Sequence, residues 1–411
     1  MRIAASGFVS SDSGSVASAN AVILSELLTI GHEVNFFTKP SFVDPRQDVK
    51  TPTGLSRLSI TDCTNRHTDS LRKYWPGKYQ GIICHLLGAV DAACYHRTLV
   101  RAMRSDKVGE VDLWLGDWSH GRGLRPVVSF VQGPPGTDAR SVLRHREMIE
   151  RLAGRSTYRK MAVYARWRLS AGLPDFRNSD HIILGSQWSV DHMVEQYQIA
   201  QTRLHAIPYP IDLQTFSPVQ TSRPAQQRLR ILWLGRFVPR KRLDLFLDAL
   251  AIAIRQGVDV EAWVIGKSGF VPNYERLISE FPFPDRLTYR SELLRKEVPK
   301  LMSEVDLLVQ PSDEENFGSS VAEALACGVP AVVGATNGTG DYICDRSIRL
   351  SDSRSETLSA AIAEIATKKK SGQLADRMPS RLAAERYFDP KSICQQLVAV
   401  LERSVNQTSH V

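Results

Sequence analysis

With 411 residues, the chain is too long for one ordinary hydrophobic core and suits two domains of about 200 residues each. Its 43% hydrophobic and 23% charged residues are typical of a globular protein and exclude a fibrous or disordered chain. The net charge of +8 is concentrated in residues 1–200, which hold 25 Lys and Arg against 19 Asp and Glu. This modest excess favours an anionic ligand or an acidic membrane face, and no nucleic-acid-binding motif accompanies it.

The cysteine spacing and the apolar runs indicate in which cellular compartment the protein works. The six cysteines show no CxxC or paired spacing, which is typical of a reducing compartment and predicts neither a disulfide framework nor a zinc site. The opening residues MRIAASG lead directly into a predicted strand without a signal-peptide pattern, and no apolar run approaches the roughly 20 residues that cross a bilayer. We expect a cytoplasmic protein that is at most peripheral at the inner membrane face.

Apolar runs alternate with helical stretches along the chain, as in parallel sheets covered by helices. The first series of predicted strands comprises residues 2–7, 32–38, 81–86, 111–116, 126–132, 181–186 and 204–208. A second series comprises residues 230–235, 260–266, 286–291, 305–311 and 330–334. The alternation of strands and helices therefore begins twice along the chain, which predicts an α/β fold of two Rossmann-like, doubly wound domains.

The domain boundaries follow from these two series. We expect an N-terminal domain over residues 1–216, a polar, proline-containing linker over 217–228 and a C-terminal domain over 229–385. Residues 386–411 predict an amphipathic helix beginning near Pro390, followed by a tail from Asn406, and we expect this segment to pack back toward the N-terminal domain.

Cations cluster where the second domain's first strand turns into a helix, in the segment GRFVPRKR. Ligands of doubly wound sheets bind at the carboxyl ends of the strands, and a helix N-terminus adds a favourable dipole for anions. A lone Arg-Lys pair there would be a surface charge. Arg236 and Lys241, five residues apart across the turn, can instead converge on one multiply charged anion.

The stretch EENFGSSVAEALACG places two glutamates around a glycine turn. Residues 311–317 read as a loop, and a helix begins at Gly318 and ends at Gly328, so the first amides of this helix can hold phosphate oxygens. Glu315 and Glu323 are acceptors that suit hydroxyl groups. Considered alone, Glu315 could be favoured at the helix start by the helix dipole, a preference worth about 0.3 to 1 kcal/mol, and Glu323 could be an exposed helix residue. Together with Arg236 and Lys241 they predict a nucleotide-sugar site.

The two segments GRFVPRKR and PSDEENFGSSVAEALACGVPAVV resemble the retaining glycosyltransferases of family 4, known as glycosyl transferases group 1, which have the GT-B fold. The Glu-(seven residues)-Glu spacing and the GR-(four residues)-K turn are that family's signature. GHEVNFFT, HIILGSQWSVDHM and HAIPYPIDLQTFSP resemble its N-terminal strands, so the similarity covers essentially the whole chain. The resemblance implies two Rossmann-like domains facing across a cleft.

By this resemblance the catalytic residues are Arg236 and Lys241, which contact and stabilise the leaving diphosphate, and Glu315, which holds hydroxyls of the transferred sugar. Glu323 would bind the ribose, and Gly14 would meet the diphosphate from the N-terminal domain. Further donor contacts are implied for Asn316, Phe317, Gly318, Ser319 and Ser320, and for the base near Ser291. The donor would be UDP- or GDP-linked, and the reaction would retain the anomeric configuration without a metal or other cofactor; the sequence contains no convincing DxD metal motif.

One departure from the family concerns a histidine that usually lines the donor sugar pocket. The segment PVVSFVQGPPGTD has Gln132 and Gly133 there, and Gln132 can donate or accept a hydrogen bond but cannot titrate. His120 is a candidate replacement, although a loop histidine is more often a surface residue. GPPGT resembles a P-loop without its lysine, which argues against an ATPase. We assign it to the acceptor side of the cleft, with His120, Gly133 and Asp138 as candidates.

Nine cations lie between Arg140 and Arg168, with Tyr158, Tyr164 and Trp167 among them. Such a segment can lie on anionic lipid or meet a phosphorylated acceptor, and it can equally be a solvated basic helix. The acceptor could be a sugar, a lipid-linked molecule or another small molecule. Alternatives to glycosyl transfer on the same scaffold are a phosphorylase, a nucleotide-sugar epimerase and a non-catalytic nucleotide-sugar-binding protein.

Overall fold

The computed structural model describes residues 1–11, 15–38, 45–63, 95, 97–116, 125–131, 133–171, 178–219 and 228–408. All structural statements below refer to these residues. The predicted strand over residues 81–86 and most of the predicted linker lie outside them. None of the described helices is both long and apolar enough to span a membrane.

The described residues of the first half form a parallel sheet of seven strands in the order β3-β2-β1-β4-β5-β6-β7. Valine-rich and isoleucine-rich runs build its centre, and every residue of β5 and β6 is buried. The strand β3 was not predicted, because the segment LSITD is polar at alternate positions and half exposed at the sheet edge. The strands are β1 (Arg2–Gly7), β2 (Glu33–Thr38), β3 (Leu58–Asp62), β4 (Val111–Gly116), β5 (Val127–Val131), β6 (His181–Leu184) and β7 (Leu204–Ala206).

Helices of the first half cover this sheet and extend beyond it. The basic segment between Arg140 and Arg168 forms most of three consecutive helices, separated at His145 and at Gly154, whose φ of 85° suits glycine. The side chain of Ser186 caps the helix after β6 by accepting a hydrogen bond from the amide of Ser189. The helices are α1 (Ser15–Thr29), α2 (Thr137–Arg144), α3 (Arg146–Ala153), α4 (Arg155–Ala171) and α5 (Gln187–Tyr197).

The second half forms a parallel sheet of six strands in the order β10-β9-β8-β11-β12-β13. Its central strands are apolar runs that were predicted, whereas the two-residue β13 is too short to leave a periodic pattern. The two parallel sheets confirm the predicted α/β fold class. The strands are β8 (Leu229–Leu234), β9 (Val260–Ile265), β10 (Leu287–Arg290), β11 (Leu307–Gln310), β12 (Ala331–Val333) and β13 (Ile348–Arg349).

Seven helices complete the described part of the second half. The last helix begins at Pro390, as predicted, and continues to Thr408, so the predicted start of a tail at Asn406 was too early. This helix packs against α1. The helices are α6 (Leu243–Arg255), α7 (Arg276–Ser279), α8 (Val298–Ser303), α9 (Ser319–Ala326), α10 (Ser355–Lys370), α11 (Met378–Phe388) and α12 (Pro390–Thr408).

Buried side chains connect the two halves. One hydrophobic cluster includes Leu113 of the first sheet, Leu308 of the second and Phe317 between them. A second cluster joins Ile149 of α3 to Phe237, which follows β8, and to residues of the second sheet such as Trp233. Helices α2 to α4 therefore belong to the first half in sequence but bury apolar surface with the second half.

Candidate functional site

The candidate site lies at the topological switch point of the second sheet. Strands β8 and β11 are neighbours, and the chain leaves β8 toward β9 on one side and β11 toward β12 on the other. In doubly wound sheets this divergence opens a crevice outside the carboxyl ends of the strands. The segments that follow β8 and β11, residues 235–242 and 311–318, therefore approach one another here.

The turn after β8 carries four cations, Arg236, Arg240, Lys241 and Arg242, which differ in burial and in their partners. Residues Pro239–Lys241 form one turn of 3-10 helix, and Arg242 adopts a left-handed conformation with φ 53° before α6 begins. Its guanidinium is held by Asp244 at 3.2 Å and by Asp313 at 3.2 Å. Arg236 is exposed, and no ion pair joins it to another described residue. It is therefore the cation of this turn that remains available to an anion.

Glu315 and Lys241 form the centre of the cluster. The Lys241 Nζ lies 2.5 Å from Glu315 Oε2, and the Arg240 Nη1 lies 2.7 Å from the same oxygen. Burial acts to raise the pKa of Glu315, but the two cations outweigh it and hold that pKa below its usual value. Burial lowers the pKa of Lys241; Glu315 opposes this effect, while Arg240 and Arg236 add to it. The carboxylate is therefore ionised and the surroundings remain positive.

Asp313 and Glu314, which sequence reasoning left without a role, bind the basic segment of the first half. Glu314 forms ion pairs with Arg140, at 2.7 Å, and with Arg144. The His145 Nε2 lies 3.1 Å from Asp313 Oδ2. Two cations that could have faced lipid or acceptor thus neutralise an acid beside the candidate site. The residues are about 170 positions apart in sequence, so no local pattern could have indicated this pairing.

Asn316 and Phe317 anchor the loop to the first half. The Asn316 Oδ1 accepts a hydrogen bond from the Gly185 amide at 2.9 Å, and its Nδ2 donates to the Tyr209 hydroxyl at 3.3 Å. A Cβ on Gly133, whose φ is 137°, would lie 2.5 Å from the Asn316 Cβ. Phe317 is buried with its ring centroid 5.0 Å from that of Tyr209. These side chains hold the loop in place, while its backbone remains a candidate for ligand contact.

The start of α9 follows this loop. Gly318 precedes the helix, and a Cβ there would lie 2.5 Å from the Gln310 Oε1, so a larger residue would require Gln310 to move. Ser319 is buried and Ser320 half-buried in the first turn. Ser291 follows the edge strand β10, and its contact with the base remains a prediction.

Glu323 is buried in the second turn of α9. Its Oε1 lies 2.8 Å from Arg295 Nη2, and the Arg295 guanidinium stacks 5.0 Å from the centre of the Phe216 ring. Burial raises the pKa of Glu323, and Arg295 offsets this only in part. A ligand hydroxyl that reaches Glu323 would therefore have to share it with Arg295.

A cavity of about 610 Å³ opens on the Arg295 side of this cluster. Its lining includes Ser11 and Ser18 of the first half and Phe216, Arg295 and Lys296. Arg236, Lys241 and Glu315 are not among its described lining residues. Three predicted site residues, Gly14, His120 and Gln132, lie outside the described part of the chain, and Gly14 is close in sequence to Ser11 and Ser18.

Residues 219–381, which contain the turn, both glutamates and Arg295, match the family described as glycosyl transferases group 1. Over these residues the chain is similar to this family of glycosyltransferases. Its glycosyltransferase assignment and its resemblance to family 4 are thereby confirmed. The roles of individual site residues remain predictions.

Two curated relatives illustrate the range of this glycosyltransferase family. The chain is 25% identical over 370 residues to the GDP-mannose-dependent alpha-(1-6)-phosphatidylinositol dimannoside mannosyltransferase of Mycobacterium tuberculosis, covering 87% of this chain and 85% of the relative. It is 26% identical over 175 residues to the D-inositol 3-phosphate glycosyltransferase of Mycolicibacterium smegmatis, covering 41% of this chain and 40% of the relative.

Solved structures establish the GT-B fold of this glycosyltransferase. The Anabaena Alr3699/HepE structure in complex with UDP and glucose matches with a TM-score of 0.61 at 16% identity, covering 98% of this chain and 100% of that one. The sucrose-phosphate synthase of Thermosynechococcus elongatus matches with a TM-score of 0.68 at 17% identity, covering 98% of each chain. At these identities the likeness concerns the fold alone.

Proposed function

We propose that this glycosyltransferase transfers a sugar from a UDP- or GDP-linked donor with retention of anomeric configuration and without a metal ion. The observation that carries the proposal is the convergence of Lys241, Glu315 and the exposed Arg236 at the switch point of the second sheet. Cleavage of the anomeric C–O bond builds negative charge on the departing diphosphate. Fixed cations and the N-terminus of α9 can stabilise that charge without reorganising.

The two glutamates would contact the hydroxyl-bearing ends of the donor. Both cations beside Glu315 bind its Oε2, so Oε1 is left to accept a hydroxyl of the transferred sugar. Glu323 would accept from the ribose in the second turn of α9, and Arg295 would have to share or leave that carboxylate. The cavity beside Arg295 would then take the nucleoside, with Lys296 at its edge.

The relatives guide the choice of donor and acceptor. The M. tuberculosis relative is named as GDP-mannose-dependent and as acting on a phosphatidylinositol dimannoside, so GDP-mannose and a lipid-linked sugar are the first pair that we propose to test. The HepE complexes with UDP support including UDP-sugars. Sugars and other small molecules remain proposed acceptor classes.

We test the reaction by incubating the protein with UDP-, GDP- and ADP-sugars and candidate acceptors. The expected result is release of nucleoside diphosphate coupled to a new glycosidic bond, unchanged by EDTA, with NMR showing the donor's anomeric configuration in the product. Phosphate-dependent release of sugar 1-phosphate would indicate a phosphorylase instead. Donor binding without turnover would indicate a non-catalytic protein.

The outward face of α4 supports a peripheral contact with anionic membrane. Val163, Tyr164 and Trp167 are 66%, 55% and 50% exposed although they are large and apolar, and the opposite face of the helix is buried. Exposed cations surround them at Arg159, Lys160, Arg166 and Arg168. Apolar side chains flanked by cations suit the headgroup region of an anionic bilayer. We propose that this face binds such a surface and brings the cleft to a lipid-linked acceptor.

Vesicle flotation tests the membrane proposal. The protein is expected to float with vesicles that contain phosphatidylglycerol, to float less with phosphatidylcholine alone and to be released by high salt. The variant Trp167→Ala should weaken flotation. Equal behaviour on both vesicle types, or an unaffected Trp167→Ala variant, would contradict the proposal.

A further inference from the structure

Arg240 connects the two halves of the molecule at the candidate site. Its Nε donates to Asp138 Oδ1 at 3.0 Å, and its Nη1 donates to Glu315 Oε2 at 2.7 Å. Asp138 lies in the first turn of α2, in the first half of the chain, whereas Glu315 follows β11 in the second half. One guanidinium thus bridges two carboxylates across the cleft.

The two contacts of Arg240 differ in exposure. The side chains of Arg240 and Glu315 are 11% and 10% exposed, whereas Asp138 is 43% exposed. A buried ion pair is costly to separate, because it leaves uncompensated charges in a medium of low dielectric constant. The contact with Asp138 is therefore the easier of the two to break, and Arg240 then stays with Glu315.

The planar shape of the guanidinium makes this arrangement directional. Its donors point along fixed lines in one plane, so the position of Asp138 on one edge sets the direction from which the other edge meets Glu315. Lys241 binds the same Glu315 oxygen with a single flexible ammonium group and is not bonded to Asp138. The backbone of Glu315 is held separately, because its amide donates to the Thr336 carbonyl and its carbonyl accepts from the Gly338 amide.

We propose that Arg240 is a positioning residue that orients the Glu315 carboxylate according to whether Asp138 of α2 is docked against it. The proposal rests on the proposed function, in which Glu315 Oε1 accepts a hydroxyl of the transferred sugar. Oε2 keeps its bonds to Arg240 and Lys241 in either state, whereas docking of α2 fixes the plane of the Arg240 guanidinium and with it the direction in which Oε1 points. The seating of α2 on the second half is in this way coupled to the geometry of the group that holds the sugar.

Kinetics of Arg240→Gln, Arg240→Lys and Asp138→Asn test this inference, with Arg2→Gln in β1 as the matched control, because the Arg2 side chain is 51% exposed and pairs with Glu110. Arg240→Gln should lower kcat by about 100-fold with a smaller change in KM for the donor, as loss of orientation predicts. It should also move the acidic limb of the pH–kcat profile upward, because Glu315 loses one of its two cations. Arg240→Lys should restore that limb without restoring full kcat.

Double substitution separates coupling from two independent defects. Asp138→Asn should lower kcat by about 10-fold alone and add little in the Arg240→Gln background, because residues that act through one contact are not additive. The inference is overturned if the reduction of kcat in the double variant is the product of the two single reductions. A wild-type kcat in Arg240→Gln, or an acidic limb of the pH–kcat profile that does not move, would also overturn it. Lack of turnover by the wild-type protein with every donor would overturn the proposed function instead.

Hydrogen exchange provides a readout besides activity. Amides of α2 should exchange faster by similar factors in Asp138→Asn and Arg240→Gln, and at the wild-type rate in Arg2→Gln, because the Arg240–Asp138 pair is one of the contacts that dock α2. If the α2 amides exchange at the wild-type rate in both Asp138→Asn and Arg240→Gln, the coupling is overturned, whether or not turnover is measured. Melting curves by circular dichroism identify any variant that fails to fold, and Arg240→Lys, which keeps the charge, then replaces Arg240→Gln.

Discussion

At the level of single residues, the candidate site brings more cations than acids around Glu315. Lys241 and Arg240 share one carboxylate oxygen, and Arg236 adds a further positive charge nearby. Such an arrangement repels cations and attracts a diphosphate, because buried charges interact through a lower effective dielectric constant than water. The exposed Arg236 is the first of these cations that an incoming anion meets.

Substitution of Lys241 by Ala should reduce kcat/KM by about 100-fold to 1,000-fold, because one fixed charge opposite the leaving diphosphate is lost. The fold should persist, since Arg240 still neutralises Glu315. Steady-state kinetics with the donor identified by the sugar-nucleotide panel measure the effect. Lys267→Ala, which removes an exposed lysine paired with Glu292, serves as the control. Near-normal activity in both Lys241→Ala and Glu315→Ala would contradict the assigned site.

Replacement of Arg295 by Met should destabilise the protein in a pH-dependent way. Burial already raises the pKa of Glu323, and without Arg295 the pKa should rise further. A carboxyl with a raised pKa stabilises the native state when it is protonated and loses that contribution as the pH rises through its pKa. We expect a loss of about 3 kcal/mol near pH 8 and a smaller loss near pH 5.

Urea unfolding at the two pH values measures this loss, and Arg295→Lys is the control that keeps a charge beside Glu323. A loss that is independent of pH would show that Arg295 acts through its stacking on Phe216 and not through its charge.

At the level of elements, the loop before α9 depends on a close approach between the two halves. A Cβ on Gly133 would meet Asn316, and the φ of 137° is itself unfavourable for alanine. Gly133→Ala should therefore destabilise the protein by about 2 to 4 kcal/mol and reduce activity. Gly257→Ala is a matched control, because its φ is also positive, at 82°, but its Cβ would meet open space.

Thermal melts compare the two glycine variants. The control should lose only about 1 kcal/mol, which reports the backbone strain alone. If both variants melt at the same temperature, the close contact of the added Cβ with Asn316 does not account for the destabilisation of Gly133→Ala.

The strands and helices differ in how far the sequence predicts them. Long apolar runs such as those of β1, β4 and β8 were predicted within a residue or two, because parallel strands are buried on both faces. The short edge strands β3 and β13 leave no such run. Within the candidate site, the motifs predicted that Lys241 and Glu315 lie together, but the ion pairs of Asp313, Glu314 and Arg240 depend on tertiary contacts between distant segments.

At the level of the whole molecule, α12 connects the end of the described chain to the first sheet. The His181 Nε2 lies 3.2 Å from Gln407 Oε1 of α12, and the His181 Nδ1 lies 3.0 Å from His205 Nε2. Burial, followed by the nearby His181 and Arg403, lowers the pKa of His205 from 6.5 to about 4. Both imidazoles are therefore held in their neutral forms near neutral pH.

Acid should weaken this connection. Between the two pKa values the unfolded chain binds a proton that native His205 does not, so the free energy of unfolding falls as the pH decreases from about 6.5 toward 4. His205→Gln, which can still donate to His181, should lose less stability than the wild type between about pH 7.5 and pH 5. Urea unfolding at both values measures the difference. An equal loss in both proteins would show that other groups dominate.

The packing of α12 on α1 also determines when, during synthesis, the first half can bury all of its apolar surface. Ile393, Leu397 and Leu401 are buried in the same cluster as Leu24 and Leu27 of α1. During translation the first sheet leaves the ribosome long before these residues are synthesised, and until then part of its apolar surface remains uncovered. A nascent chain of this protein is therefore expected to be a chaperone substrate until its last helix emerges.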